Sequence, residues 1–327
     1  MKAVLCHEYG PPESLRIGTL PDPVPRAGEA LIEIFAAGVN FPDVLMVAGK
    51  YQSQPPLPFA PGLEVGGVVR AVGAGIDDLR PGDRVMASTG YGGFAEYAAV
   101  PRRAIRPVPP QMSLVTAAAM GVTYGTSYYA LRQRADLQPG ETLLVTGAAG
   151  GVGLAAVELG KAMGARVLAA ASNATKLAAA RAAGADELID YSGGEVRDQL
   201  KRLTAGAGVD VIYDPVGGPL SDQLVRSLAW NGRLLIVGFV GGDIPRIPTN
   251  LLLLKGAQAM GVFYGSFSAR DPARVEENFQ QMFRWHGAGR IKPLVSQVFA
   301  MEDYAAALNA LARREVIGKV VVRIRSE

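Results

Sequence analysis

Apolar and polar positions follow two regimes along this chain. In the first hundred residues, Ala3–His7, Ala30–Ala36, Gly66–Val72 and Ala95–Val100 are short runs, apolar or alternating, bounded by turn residues. That pattern predicts strands, and Pro81-Gly82-Asp83-Arg84-Val85 reads as a turn entering another. Together they predict an irregular, mostly antiparallel β-domain. From Ser113 the character changes. Ser113–Arg134 is long and Ala-rich and predicts a helix interrupted at Gly121 and Gly125. A regular alternation follows. Strands are expected at Leu143–Thr146, Arg166–Ala171, Glu187–Ile189, Val209–Tyr213 and Arg233–Val237, with helices at Gly151–Met163, Ala174–Ala183, Val196–Leu203 and Leu220–Ala229. These strands are near-continuous apolar runs, as expected where helices cover both faces. The fold class is therefore α/β, with a doubly wound parallel sheet. After Gly261 the pattern loosens into a helix over Pro272–His286, a strand over Leu294–Phe299, a helix over Met301–Arg313 and a final strand over Lys319–Ile324. The expected division is a β-domain over 1–121, rejoined by 264–327, and a sheet domain over 122–263.

Composition narrows the chemistry. Hydrophobic residues make up 49% and charged residues 19% of 327, enough for about two well-cored domains. Gly 40 and Pro 22 exceed average usage without reaching the disordered range, so where they sit carries information. A net charge of +3 with no basic block gives no reason to expect nucleic acid or an anionic membrane as partner. Cys6 is the one cysteine, which excludes an intrachain disulfide and a structural zinc site. His7 and His286 are the two histidines, and neither stands in a nucleophile-activating motif. The start, MKAVLCHEYG, has no long apolar core of a secretory signal. The longest uncharged stretch, Pro107 to Leu131, is broken by Ser, Thr, Tyr and Gly and reads as buried helix and loop rather than a span. A cytoplasmic protein is expected.

The strongest local signal is Leu143-Leu144-Val145-Thr146-Gly147-Ala148-Ala149-Gly150-Gly151-Val152-Gly153. A strand turns sharply into a helix, and small residues let backbone amides at the helix start approach a pyrophosphate. Gly147, Ala149, Gly150, Gly151, Val152 and Gly153 are the candidate cofactor positions. The next strand ends Ala171-Ser172-Asn173, and no carboxylate occurs from Lys161 to Ala185. An NAD site places a carboxylate there for the ribose 2′-hydroxyl. Ser172, Asn173 and Lys176 instead suit a 2′-phosphate, which favours NADPH.

This turn joins Gly38-Val39-Asn40-Phe41-Pro42-Asp43, Pro61-Gly62-Leu63-Glu64-Val65-Gly66-Gly67, Gly82-Asp83-Arg84-Val85 and Gly318-Lys319-Val320-Val321. In order and spacing the set resembles the zinc-independent quinone oxidoreductase branch of the medium-chain dehydrogenase/reductase superfamily. The resemblance implies a Rossmann-type sheet domain plus a GroES-like β-domain, with the active site in the cleft between them. Zinc-dependent relatives carry a cysteine near position 40 and Gly-His-Glu where this chain has Gly62-Leu63-Glu64; Asn40 and Leu63 stand there instead, so no metal is expected. The resemblance also nominates Ser172, Lys176, Tyr191 and Arg314 for the 2′-phosphate, Arg314 by its distance from Gly318 alone. It nominates the backbone of Gly238, Phe239 and Val240 for the nicotinamide carboxamide, and a homodimer through an edge strand at Ala257–Phe263.

Without a Lewis acid, an already electrophilic acceptor such as a quinone or enone needs only donors near its oxygen and a proton source. Asn40, Tyr51 and Thr123 are the candidate donors. By position alone, Asn40 also reads as a turn residue, Tyr51 as a packing residue in a Pro-rich loop, and Thr123 as a capping or packing residue. Asp43 reads as a helix cap. The implied activity is transfer of hydride from NADPH to a quinone. The competing readings are an enoyl reductase acting on 2-alkenals, enones or an enoyl-CoA, and a non-enzymatic nucleotide- or RNA-associated protein.

Overall fold

The computed structural model describes residues 1–326, in two compact units: Met1–Val122 with the segment from Val295 onward, and Thr123–Leu294. The chain begins with β1 (Lys2–Leu5), β2 (Arg16–Thr19), β3 (Glu29–Val39), α1 (Phe41–Val47), β4 (Glu64–Val72), β5 (Arg84–Ser88), β6 (Tyr97–Pro101) and β7 (Ile105–Pro107). Then comes α2 (Leu114–Tyr128), within which the unit boundary falls. The second unit holds β8 (Thr142–Val145), α3 (Gly151–Ala162), β9 (Arg166–Ala171), α4 (Ala174–Ala182), β10 (Glu187–Asp190), α5 (Val196–Leu203), β11 (Val209–Asp214) and α6 (Leu220–Ser227). It continues through β12 (Leu228–Ile236), α7 (Thr249–Lys255), β13 (Gln258–Gly261), α8 (Tyr264–Arg270) and α9 (Pro272–Gly287). β14 (Val295–Ala300), α10 (Tyr304–Ala312) and β15 (Lys319–Arg323) return to the first.

The first unit is built on a mixed sheet in the order β14-β15-β3-β4-β5-β7, with β6 also paired to β3. Only β14 and β15 run parallel; the other pairs are antiparallel. Its core includes Ile32, Ile34, Val39, Phe59, Val65, Phe94 and Val320. The first turns of α2 lie directly on this sheet, because Gly66 has no side chain and a Cβ there would strike the Leu114 carbonyl. The second unit is a six-stranded, all-parallel sheet in the order β10-β9-β8-β11-β12-β13. The order reverses between β8 and β11, the place where ligands bind at the carboxyl ends of such strands.

Two expectations need correction. Gly121 and Gly125 do not interrupt α2, which runs unbroken to Tyr128 and then widens into a π-helical turn through Arg134. Each is a close-approach site. A Cβ at Gly121 would lie 2.9 Å from a Glu64 carboxylate oxygen, and one at Gly125 would lie 2.5 Å from the Tyr264 hydroxyl. The return to the first unit comes at Val295 rather than at residue 264. The amphipathic α9 buries Val275, Phe279, Met282 and Phe283, and its Asn278 exchanges hydrogen bonds with Gln133 of the second unit. That packing holds 264–294 in the second unit. Among the described residues no helix is long and apolar enough to cross a membrane.

Candidate functional site

In the first unit, the end of β3 and the start of α1 carry a buried polar cluster. Asn40 is the N-cap of α1, and its backbone N–H donates to Asp43 Oδ2 at 2.8 Å. Asp43 Oδ1 accepts from the Gly62 N–H at 2.9 Å, so one carboxylate ties the helix start to the loop before β4. Asp43 is fully buried, and desolvation pushes its carboxyl up to about 7 despite those two donors. Asn40 Nδ2 donates to Glu64 Oε1 at 2.9 Å and to the Gly38 carbonyl at 3.3 Å. Asn40 Oδ1 accepts from Lys319 Nζ at 2.8 Å. Lys319 Nζ also donates to Glu64 Oε1 at 2.7 Å and to the Val39 carbonyl at 3.0 Å, which occupies its three hydrogens. Glu64 Oε2 accepts from the Val122 N–H of α2 at 2.8 Å. Lys319 and Glu64 are almost wholly buried, so each charge is compensated by the other and by the surrounding dipoles. Tyr51 is half-buried in the same unit, and burial first, then the Asp43 carboxylate, push its phenol above the usual range.

Asn40 is therefore more engaged than the sequence indicated. Its amide is shared among Glu64, Lys319 and Gly38, and the 3.3 Å contact to Gly38 is the longest of the three. The sequence alone assigns Glu64 and Lys319 no role at the site. The signal existed: each is a charged residue at the start of an apolar strand sequence, Glu64-Val65-Gly66-Gly67-Val68 and Lys319-Val320-Val321-Val322. A charge placed there is buried and must find a partner.

In the second unit, β8 leads through Thr146 and Gly147 into α3. Gly147 takes a left-handed φ of 54°, which glycine adopts freely. A Cβ at Gly153 would collide with the Gly147 carbonyl and come within 2.8 Å of Ala148 Cα. Gly150 is different. Its φ of −73° and ψ of 170° suit any residue, and a Cβ there would meet only the Gly147 carbonyl, at 3.5 Å. No side chain caps α3, so the amides of Gly151, Val152 and Gly153 open its N-terminus. Asp214 at the end of β11 fixes the neighbouring loop: its carboxylate accepts from Thr146 Oγ1 at 2.6 Å, Val216 N at 3.0 Å and Gly217 N at 3.2 Å. Thr123 is buried on α2, one turn before Ser127 and on the same face. Ser127 Oγ donates to the Val152 carbonyl at 3.0 Å and lies 2.8 Å from the Tyr213 hydroxyl. The structure thus anchors α2 to the first turn of α3.

The 2′-phosphate candidates divide between the units. At the end of β9, Lys176 Nζ lies 3.5 Å from Ser172 Oγ. The Tyr191 N–H donates to the Ala171 carbonyl at 3.1 Å, which sets Tyr191 beside that strand end. Asn173 is the N-cap of α4, its Oδ1 accepting from Lys176 N at 2.9 Å. Arg314 belongs to the first unit, in a left-handed turn after α10 with φ 59°. Of the proposed nicotinamide loop, Val240 N–H donates to the Pro215 carbonyl at 3.1 Å, and the Phe239 carbonyl accepts from Gly242 N. Among the described residues no cluster of His, Cys, Asp or Glu could hold a metal ion.

Residues 151–285 match the family described as Zinc-binding dehydrogenase, and residues 26–110 match Alcohol dehydrogenase GroES-like domain. The chain is 37% identical to a quinone oxidoreductase-like protein 2 homolog of Nematostella vectensis, over 99% of this chain and 89% of that protein. It is 36% identical to quinone oxidoreductase-like protein 2 of Bos taurus, over 99% of this chain and 93% of that protein. Among solved structures, Escherichia coli quinone oxidoreductase complexed with NADPH superposes with a TM-score of 0.93 at 28% identity, over 99% of this chain and 100% of that one. A mycobacterial protein complexed with NADPH superposes with a TM-score of 0.92 at 31% identity, over 99% and 100%.

Proposed function

This chain belongs to the quinone oxidoreductases of the medium-chain dehydrogenase/reductase superfamily, and from that premise we propose that it is an NADPH-dependent, zinc-independent reductase of quinones. The observation that carries the cofactor reading is Gly150. Neither its backbone conformation nor its surroundings require glycine, and what its missing side chain leaves open is the approach to three uncapped helix amides. A pyrophosphate fits that vacancy. Ser172, Lys176 and Tyr191, near the ends of β9 and β10, supply donors for a 2′-phosphate, and the segment from Lys161 to Ala185 carries no carboxylate. The relatives complexed with NADPH support the same choice.

Bound NADPH supplies the hydride. The chain's own part is to orient the acceptor and stabilise the charge that develops on its oxygen. The Tyr51 phenol, held protonated by burial and by Asp43, and the Thr123 hydroxyl are donors for this purpose. Asn40 contributes the hydrogen that leans on the Gly38 carbonyl at 3.3 Å, while Glu64 and Lys319 fix the amide plane. A quinone spreads its charge over a ring, so each donor is worth less than one at a localised oxyanion. Asn40→Ala, Tyr51→Phe and Thr123→Val are each expected to lower kcat/KM for a quinone by about tenfold. Full activity in all three variants removes the donor assignment. The function is tested by following NADPH oxidation with chelator present across quinones, 2-alkenals and enoyl-CoA thioesters. Turnover confined to the latter two makes this an enoyl reductase, and turnover with none contradicts an enzymatic role.

The phosphate reading has its own test. A charge-assisted hydrogen bond contributes about 1.5–3 kcal/mol, so Lys176→Ala should weaken NADPH about tenfold or more and leave NADH almost unchanged. Equal losses for both cofactors would take Lys176 away from the phosphate.

The quaternary reading is a homodimer. β13 is an edge strand, paired to β12 alone, with Leu253 and Phe263 exposed beside it. An unpaired edge of this kind is a liability unless covered. Light scattering should give twice the 34.3 kDa chain mass at micromolar concentration, and a monomer there would contradict the pairing.

A further inference from the structure

The second unit holds a cavity of about 350 Å³ far from the glycine turn. It opens at the start of β11 and β12, beside Thr204–Gly208 and Leu228. The turn lies beyond the opposite, carboxyl ends of the same sheet, about 16 Å away along a strand. Four cations line the cavity, Arg197, Lys201, Arg226 and Lys255, and no carboxylate does. Arg197 and Lys201 are one turn apart on α5, a like-charge spacing that a helix does not favour by itself. Among the described residues neither forms an ion pair. Lys255 Nζ caps the end of α6, donating to the Arg226 carbonyl at 2.9 Å and the Leu228 carbonyl at 2.5 Å. Burial, and then the positive charge of Arg197, hold that ammonium below the usual lysine range. The neighbouring carboxylate is Asp222, and it is taken up by Arg226 at 2.9 Å. The floor is apolar, from Leu200 and Leu228, and the Trp230 indole forms one wall with 71% of its surface exposed.

Asp222 neutralises Arg226 and offsets part of the Arg197 charge, while among the described residues Lys201 and Lys255 line the cavity without a carboxylate partner. A bound anion would relieve the repulsion left between Arg197 and Lys255. An exposed indole beside them offers a planar face. We propose that this cavity is a second binding site, separate from the cofactor turn, for a small phosphate ester that carries a planar ring. Arg197, Lys201 and Lys255 take the phosphate, and the ring lies against Trp230. The site's location at the amino ends of these strands makes it independent of the acceptor chemistry.

The test is calorimetric titration of the protein already saturated with NADPH, so that the cofactor site is filled. The probes are phenyl phosphate, inorganic phosphate and benzyl alcohol. Phenyl phosphate should bind about tenfold tighter than inorganic phosphate, because the ring adds stacking area. Arg197→Ala/Lys201→Ala, two exposed changes, should weaken phenyl phosphate about tenfold or more while NADPH affinity stays as it was. The proposal is overturned if phenyl phosphate gives no saturable heat, if the double variant binds it as well as the parent, or if benzyl alcohol binds equally well. Equal affinity for phenyl phosphate and inorganic phosphate would overturn the ring's place against Trp230.

Discussion

Replacing Lys319 with methionine should destabilise the protein by about 3–5 kcal/mol, the cost of stranding one partner of a buried ion pair. Lys319 Nζ satisfies the Glu64 carboxylate, the Asn40 amide oxygen and the Val39 carbonyl at once. Methionine keeps the stem and removes all three donors, leaving the Glu64 charge 2% exposed and uncompensated. The melting temperature should fall on the order of 10 °C. The pair Glu64→Gln/Lys319→Met removes both charges. A glutamine oxygen can still accept from Val122 N, and the Asn40 amide can turn to meet the new amide. Most of the lost stability should return in the double variant. A single-variant cost under about 1 kcal/mol, or a double variant no better than Lys319→Met, would show that the cluster is not coupled as the distances imply.

The second large effect is expected at the glycine turn. Gly150→Val should leave the fold in place, since φ −73° is ordinary for valine and a Cβ there meets only the Gly147 carbonyl, in ordinary contact at 3.5 Å. It should nevertheless raise the Kd of NADPH about a hundredfold. Blocking approach to two of the helix amides forfeits two charge-assisted hydrogen bonds, about 3 kcal/mol at the low end of their range. Gly153→Ala provides the contrast: its Cβ collides with the Gly147 carbonyl, so it should lose thermal stability along with binding. Unchanged NADPH affinity in Gly150→Val would mean that the pyrophosphate does not sit on the α3 amides.

The elements legible in the sequence are those whose physics is local. The parallel strands announce themselves as apolar runs, and β8 with α3 through the spacing of Gly147, Gly150 and Gly153. The sequence misleads where tertiary packing overrides a local rule. Glycine inside a helical pattern signals a break, yet Gly121 and Gly125 are close-approach points for Glu64 and Tyr264. The boundary at Val295 depends on which unit α9 packs with, and its amphipathic pattern does not say which. The Asn40–Glu64–Lys319 cluster joins residues 24 and 255 positions apart, and no periodicity reports such a contact. The buried charges in apolar strands were the available clue.

The central claim is that this chain moves reducing equivalents from NADPH to a quinone without a metal. The most direct measurement is an anaerobic reaction of enzyme, NADPH and a benzoquinone in the presence of a strong chelator, with both nicotinamide and hydroquinone followed to completion. One hydroquinone formed per NADPH consumed, at a rate the chelator does not change, is the predicted result. NADPH that binds but is not consumed, or consumption that begins only when zinc is restored, would contradict it.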